Sequence, residues 1–129
     1  MAAGLPAATG DVLTASTVNG LVTFTVNADA IVDYTAVLND QYQVLQPMNK
    51  ATAVAFKIPT NASVAFPVGT AITVLNKGLG TVTISAVTSG TTTVLSAGTV
   101  AAAPTLAQYK TAVCIKTATD TWYVVGGIA

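Results

Sequence analysis

Five aspartates, five lysines and a single cysteine carry almost all the ionisable chemistry of this 129-residue chain, which contains no glutamate, arginine or histidine. The absence of histidine removes the usual general base and the commonest metal ligand. One cysteine, Cys114, can build neither a thiolate cage nor an internal disulfide, and in the run Ala112-Val113-Cys114-Ile115 it is expected to behave as a small buried hydrophobe. A serine or cysteine nucleophile needs an activating base at hydrogen-bond distance, and the only candidates are aspartates and lysines spread thinly along the sequence. The residue types therefore speak against an enzyme, and they imply no cofactor and no metal. Asn27, Asp29 and Asp33 are the one group spaced like oxygen ligands. They lack the central glycine and the terminal glutamate of a calcium loop and are read as turn-forming side chains. Asn61-Ala62-Ser63 matches a glycosylation triplet and is read as a turn. Trp122 and Tyr123 could suggest a sugar platform, but neighbouring strand residues point to opposite faces, so Trp122 is assigned to core or subunit packing.

The elements that must position these residues are strands. Between Phe56 and Ser85, Ile72 and Val74 alternate with Thr73, and Val82 and Ile84 alternate with Thr81, Thr83 and Ser85. That period of two predicts strands with one dry face, and Asn76-Lys77-Gly78-Leu79-Gly80 between them predicts a hairpin turn with glycines at positive φ. Further strands are expected over Leu21–Val26, over Gln41–Gln46 with Pro47 halting the ladder, and over Ala51–Ile58. A short run, Ser63–Phe66, is followed by the Pro67–Thr70 turn and, later, by a strand at Thr91–Ser96. Lys110–Thr117 and Thr121–Val125 form a closing hairpin around Ala118-Thr119-Asp120. The segment from Asn27 to Asp40 fits either a strand with long loops or a short helical turn. No strict internal repeat emerges. The sum is an all-β fold, an antiparallel β-sandwich or barrel, jelly-roll-like, of about 8–9 short strands at the turn spacing typical of such folds. Residues 1–20 read as an extended N-terminal arm and residues 21–129 as a single β domain.

Charged residues make up 8% of the chain, against about 25% in ordinary soluble domains, and the formal net charge is zero. Sheet edges are normally protected by lysines, and solubility by net charge; this chain has little of either. Companion subunits covering much of its surface are the expected remedy, so a homo-oligomer or a component of a larger assembly is predicted. The charges are also sorted: Asp11, Asp29, Asp33 and Asp40 fall in residues 1–49 without a lysine, whereas all five lysines and Asp120 fall in residues 50–129. The halves can pair within one domain or head to tail between subunits. No basic patch with interleaved aromatics supports nucleic-acid binding. No apolar run approaches the roughly 20 residues that cross a bilayer, and the N-terminus lacks the pattern of a secretory signal, so a soluble chain made in a cytoplasm is expected.

Four segments taken in order carry a family resemblance: Phe56-x-Ile58-Pro59-Thr60-Asn61, Phe66-Pro67-x-Gly69-Thr70-x-Ile72, Asn76-x-Gly78-x-Gly80-x-Val82-Thr83-Ile84 and Asp120-Thr121-Trp122-Tyr123-x-x-Gly126. Together they resemble small β-structured virion proteins of tailed bacteriophages, both capsid decoration (cement) proteins and fibre domains. The resemblance covers roughly Ala51 to Gly126 and implies a non-enzymatic virion protein, a trimer attached to capsid or tail. A fibre is expected to carry a long repetitive shaft, whereas this chain reads as a short arm and one domain, which favours a decoration protein on the capsid surface. In that role Leu5, Val12, Leu13 and Val18 of the arm, with Trp122, would contact the major capsid protein or neighbouring subunits, and many weak contacts would add through multivalency. A fibre module attaching to host surface glycans is the alternative, and a cellular surface-layer protein a more distant one.

Overall fold

In a computed structural model of the chain, residues 23–96 and 103–128 are described, so the expected arm and its anchors Leu5, Val12, Leu13 and Val18 lie outside the described residues. Among the described residues there is no α-helix, and one 3-10 turn spans Leu38–Gln41. The first six strands are β1 (Thr25–Val26), β2 (Tyr34–Thr35), β3 (Val44–Met48), β4 (Val54–Ile58), β5 (Ala71–Asn76) and β6 (Val82–Ala86). They alternate between two sheets. Odd-numbered strands pair in parallel in the first sheet and even-numbered strands pair in parallel in the second. The chain thus winds as a flattened coil of three turns, each contributing one strand to each sheet.

Four more strands follow among the described residues: β7 (Thr93–Leu95), β8 (Thr105–Leu106), β9 (Thr111–Ala118) and β10 (Thr121–Gly126). The first sheet runs β1-β3-β5-β9-β10-β7 and the second β2-β4-β6-β8, with Ile128 bridging to Leu106 beside β8. The β9–β10 hairpin forms where the sequence places it. Asp120 takes a left-handed φ of 55° at its tip, and a register shift follows at Thr121/Trp122, as in a hairpin closed by a bulge.

The fold departs from the expected one in topology. Among the described residues five of the eight strand pairings are parallel, so the sheets are mixed instead of antiparallel, and a jelly roll, which needs antiparallel neighbours, is not their connectivity. The hairpin expected between Ile72–Val74 and Val82–Ile84 does not form. Its strands, β5 and β6, belong to different sheets, and the linker between them crosses from one to the other. Gly78 and Gly80 serve that crossing through their lack of a side chain, and neither has positive φ. A Cβ on Gly78 would overlap the backbone of Lys50, and one on Gly80 the carbonyl of Thr52, because this linker lies directly on its counterpart from the previous turn. Hydrogen bonds from Lys77 N–H to the Met48 carbonyl (2.8 Å) and from Gly80 N–H to the Lys50 carbonyl (2.9 Å) join the two linkers.

Pro47 does not halt β3 but sits inside it. In a parallel ladder a residue directs its N–H and C=O to the same neighbour. Residues 43, 45 and 47 face the short first turn, where the Pro47 carbonyl accepts the Ala30 N–H, and the missing donor falls on that thinly paired side. The expected strand at Leu21–Val26 is reduced to Thr25–Val26 among the described residues, and Ser63–Phe66 forms no strand, since Val64 N–H closes a turn on Thr60.

One core joins the two sheets. Met48, Ile72, Val74, Cys114 and Val124 from the first meet Val54, Phe56, Ile58, Val82, Ile84 and Leu106 from the second. Successive turns stack like residues: Tyr34 on Phe56 with ring centroids 5.8 Å apart, then Phe56 beside Ile84, and Val54 beside Val82. Each fully buried Val, Ile or Phe contributes roughly 1.5–3 kcal/mol.

Candidate interaction surface

The polar residues singled out from the sequence do not converge. Asn27 donates to Asp40 (3.1 Å) and Gln46 (2.9 Å), Asp29 accepts from Asn49 and Lys77, and Asp33 accepts the Ala55 N–H and pairs with Lys57 at 3.7 Å. No cluster of acidic, histidine or cysteine side chains suited to a metal occurs among the described residues. Both ion pairs found there, Asp29–Lys77 and Asp33–Lys57, join the acidic first part of the chain to the basic remainder. Charge complementarity is therefore used inside the domain, Asp33–Lys57 between the first and second turns of the coil and Asp29–Lys77 between the first and third. Lys77 and then Asn49 hold the Asp29 carboxyl below the usual carboxylate range.

Cys114 is fully buried, and desolvation pushes its thiol up to about 12, which fits the expected inert hydrophobe. Trp122 is 1% exposed and packs edge-on to Phe66, centroids 5.5 Å apart, inside the chain's own core. The proposed contact role of Trp122 with capsid or subunit is thereby corrected: its ring is enclosed before any partner arrives. Its neighbour Tyr123 faces outward and is 44% exposed.

The outward side of the first sheet carries two rows of largely apolar residues. The strand registers place Val26, Leu45, Thr73, Val113 and Val125 in one row across β1, β3, β5, β9 and β10. A second row runs Ala71, Ile115, Tyr123 and Leu95 across β5, β9, β10 and β7. These residues are half-buried or exposed, and only one of the nine, Thr73, has an aliphatic hydroxyl side chain. The inward side of the same strands is the core, so the central stretches, residues 113–115 of β9 and 123–125 of β10, are apolar on both faces, whereas Lys116 faces inward and Thr111, Thr117 and Thr121 outward. The outward side of the second sheet is different: Thr35, Lys57 and Ser85 lie in one row, with Ala55 and Thr83 in another. That face is hydroxylated and suits water.

A second apolar surface lies at the open end of the coil. Phe24, Ile31, Val32, Val37, Leu38 and Tyr42 are all exposed, from 46% at Tyr42 to 66% at Ile31, and belong to the first turn, which supplies the edge strands β1 and β2 of both sheets. This turn is held down by polar bonds. Buried Asp40 accepts the Tyr34 hydroxyl (2.7 Å), the Val37 N–H (3.0 Å) and the Asn27 amide, and Gln46 beneath donates to the Ala28 and Pro47 carbonyls. Burial, and then the bond to Asp40, raise the Tyr34 hydroxyl well above the ordinary tyrosine range. The two-faced character of β9 and β10 was missed in the sequence, although Tyr123-Val124-Val125 already breaks the polar alternation expected of a solvated face.

No family model, no curated protein and no solved structure matches this chain.

Proposed function

We propose that this protein is a virion structural protein of a tailed bacteriophage, a capsid decoration protein whose two sheets form a β-sandwich and which acts by adhering as a homo-oligomer, a trimer, to the outer capsid surface. The observation that carries the proposal is the apolar outward face of the first sheet. A chain with 8% charged residues and an outward row from Val26 to Val125 that is exposed at both ends and half-buried between them gains by placing that face against a companion. The sequence resemblance supplies the virion, and the lack of a clustered acid–base or metal site among the described residues is compatible with a structural role. In this scheme copies associate through the first sheet, and the apolar first turn, with the arm of residues 1–20, faces the major capsid protein. Weak contacts repeated around the oligomer then add through effective concentration.

The test is addition of purified protein to capsids of the parent phage that lack it, read by electron microscopy. Saturable density on the outer surface supports decoration. Binding to host envelope glycans through the exposed tyrosines Tyr109 or Tyr123, without capsid binding, would instead establish a fibre module.

A further inference from the structure

Lys116 is 2% exposed, and its ammonium meets two neutral oxygens, the side-chain carbonyl of Asn61 at 2.6 Å and the backbone carbonyl of Phe66 at 2.7 Å. No carboxylate pairs with it among the described residues, whose ion pairs are those of Lys57 and Lys77. A buried ammonium without a counter-ion is costly and calls for a purpose. The pair is built into rigid structure. Lys116 lies in β9 directly across from Trp122, which packs on Phe66. Asn61 is held by Asp120, whose Oδ1 accepts the Asn61 N–H at 2.7 Å and the Thr92 hydroxyl at 3.1 Å. The lysine amine and the asparagine carboxamide are thus held in contact, with the Asp120 carboxylate fixing the asparagine through its backbone.

We infer that Lys116 and Asn61 form a self-made covalent cross-link, an amide between the lysine Nζ and the asparagine Cγ. The balance is simple. Lys116 loses protons to become the attacking amine and then the amide N–H, the Nζ–Cγ bond forms, the Cγ–Nδ2 bond breaks, and Nδ2 leaves with those protons as ammonium. Nothing is oxidised or reduced and no co-reactant is needed. Asp120 touches neither nitrogen; by accepting the Asn61 backbone N–H it positions the asparagine against Nζ, and the protons pass directly from Nζ to the leaving Nδ2. The reaction exchanges a buried cation for a neutral amide and ties β9 to the turn after β4, closing a loop of 55 residues. Such a tie would strengthen the domain independently of any capsid role.

Intact-mass spectrometry of the full purified chain under denaturing conditions tests this. The expected mass is one ammonia, about 17 Da, below the sequence mass. After trypsin, residues 58–77 should appear joined to residues 111–129, because an acylated Lys116 is no longer cleaved. Lys116→Met and Asn61→Ala should each show their full calculated mass, whether or not they fold well. Asp120→Ala, which removes the acceptor of the Asn61 N–H, should cross-link more slowly, and Asp120→Asn, which keeps an acceptor and suits the left-handed tip, should restore the rate. A wild-type chain at full mass after prolonged incubation overturns the proposal. So does an ammonia deficit confined to peptide 58–77, which would mark cyclisation of an asparagine within it; Asp120→Ala cross-linking at the wild-type rate would remove Asp120 from the positioning of Asn61.

Discussion

The Asp29 carboxylate accepts the Lys77 ammonium at 2.9 Å across 48 residues of sequence, and the same carboxylate accepts the Asn49 amide at 3.0 Å. These residues occupy matching corners of the coil, where the Asn49 N–H donates to the Ala30 carbonyl and the Lys77 N–H to the Met48 carbonyl. The column therefore locks the first turn to the third through the second.

Because Lys77 holds the Asp29 carboxyl below its unfolded range, the pair contributes stability above the ordinary carboxylate pKa and loses it as pH falls through the lowered value. Asp29→Asn should lower Tm slightly at pH 7, with the difference from wild type vanishing in strong acid and shrinking in 1 M salt, since the pair is solvent-exposed. Paired thermal melts at several pH values check this.

Gly78 and Gly80 should be far less tolerant of alanine than Gly69. Their missing side chains let one linker lie on the backbone of another, so Gly80→Ala should cost about 1–3 kcal/mol or more, by overpacking against backbone that cannot yield. Gly69 has open space but a φ of +97°, and Gly69→Ala should cost about 1 kcal/mol through backbone strain alone. Urea unfolding at constant m-value measures the difference.

Removal of the Asp40 carboxylate should release the first turn. Asp40→Ala leaves the Tyr34 hydroxyl, the Asn27 amide and the Val37 N–H without their acceptor, at a cost of about 2–4 kcal/mol. Tyr34 adds a pH signature: its hydroxyl titrates higher in the fold than in the unfolded chain, so its contribution is complete below about pH 10 and is lost as pH rises. Tyr34→Phe should be less stable at neutral pH and should lack this part of the alkaline loss. Hydrogen exchange across residues 24–42 should rise in Asp40→Ala while β9 and β10 stay protected.

Cys114 should be silent to thiol reagents in the native protein. Burial in the core and a thiol raised to about 12 deny it both access and thiolate. Labelling by a disulfide reagent should follow the global unfolding curve; prompt reaction in native buffer would show that β9 opens locally.

Strands with clean alternation were legible in the sequence: β4, β5, β6, β9 and β10 lie where period-two patterns place them, because inward residues such as Phe56, Ile72 and Ile84 meet one core. Their partners were not legible. Alternation records which face is dry and is silent on which strand lies beside it, so a linker with two glycines looked like a hairpin turn. The coil escaped detection because its spacing is uneven: Tyr34 pairs with Phe56 and Phe56 with Ile84, 22 and then 28 residues apart. The segment around Asp40 was ambiguous since polar bonds, and not a hydrophobic period, hold it in place. Scarcity of charge was visible from the start, but the face it leaves apolar became visible only through the register of β5, β9 and β10.

That face carries the central claim, and sedimentation equilibrium of wild type against Tyr123→Lys/Val125→Lys tests it most directly. Both substitutions lie on the outward side of β10, so circular dichroism should report an intact fold. The account predicts a wild-type oligomer, a trimer, that the two lysines dissociate to monomer. A wild-type chain that remains monomeric at high concentration would contradict it.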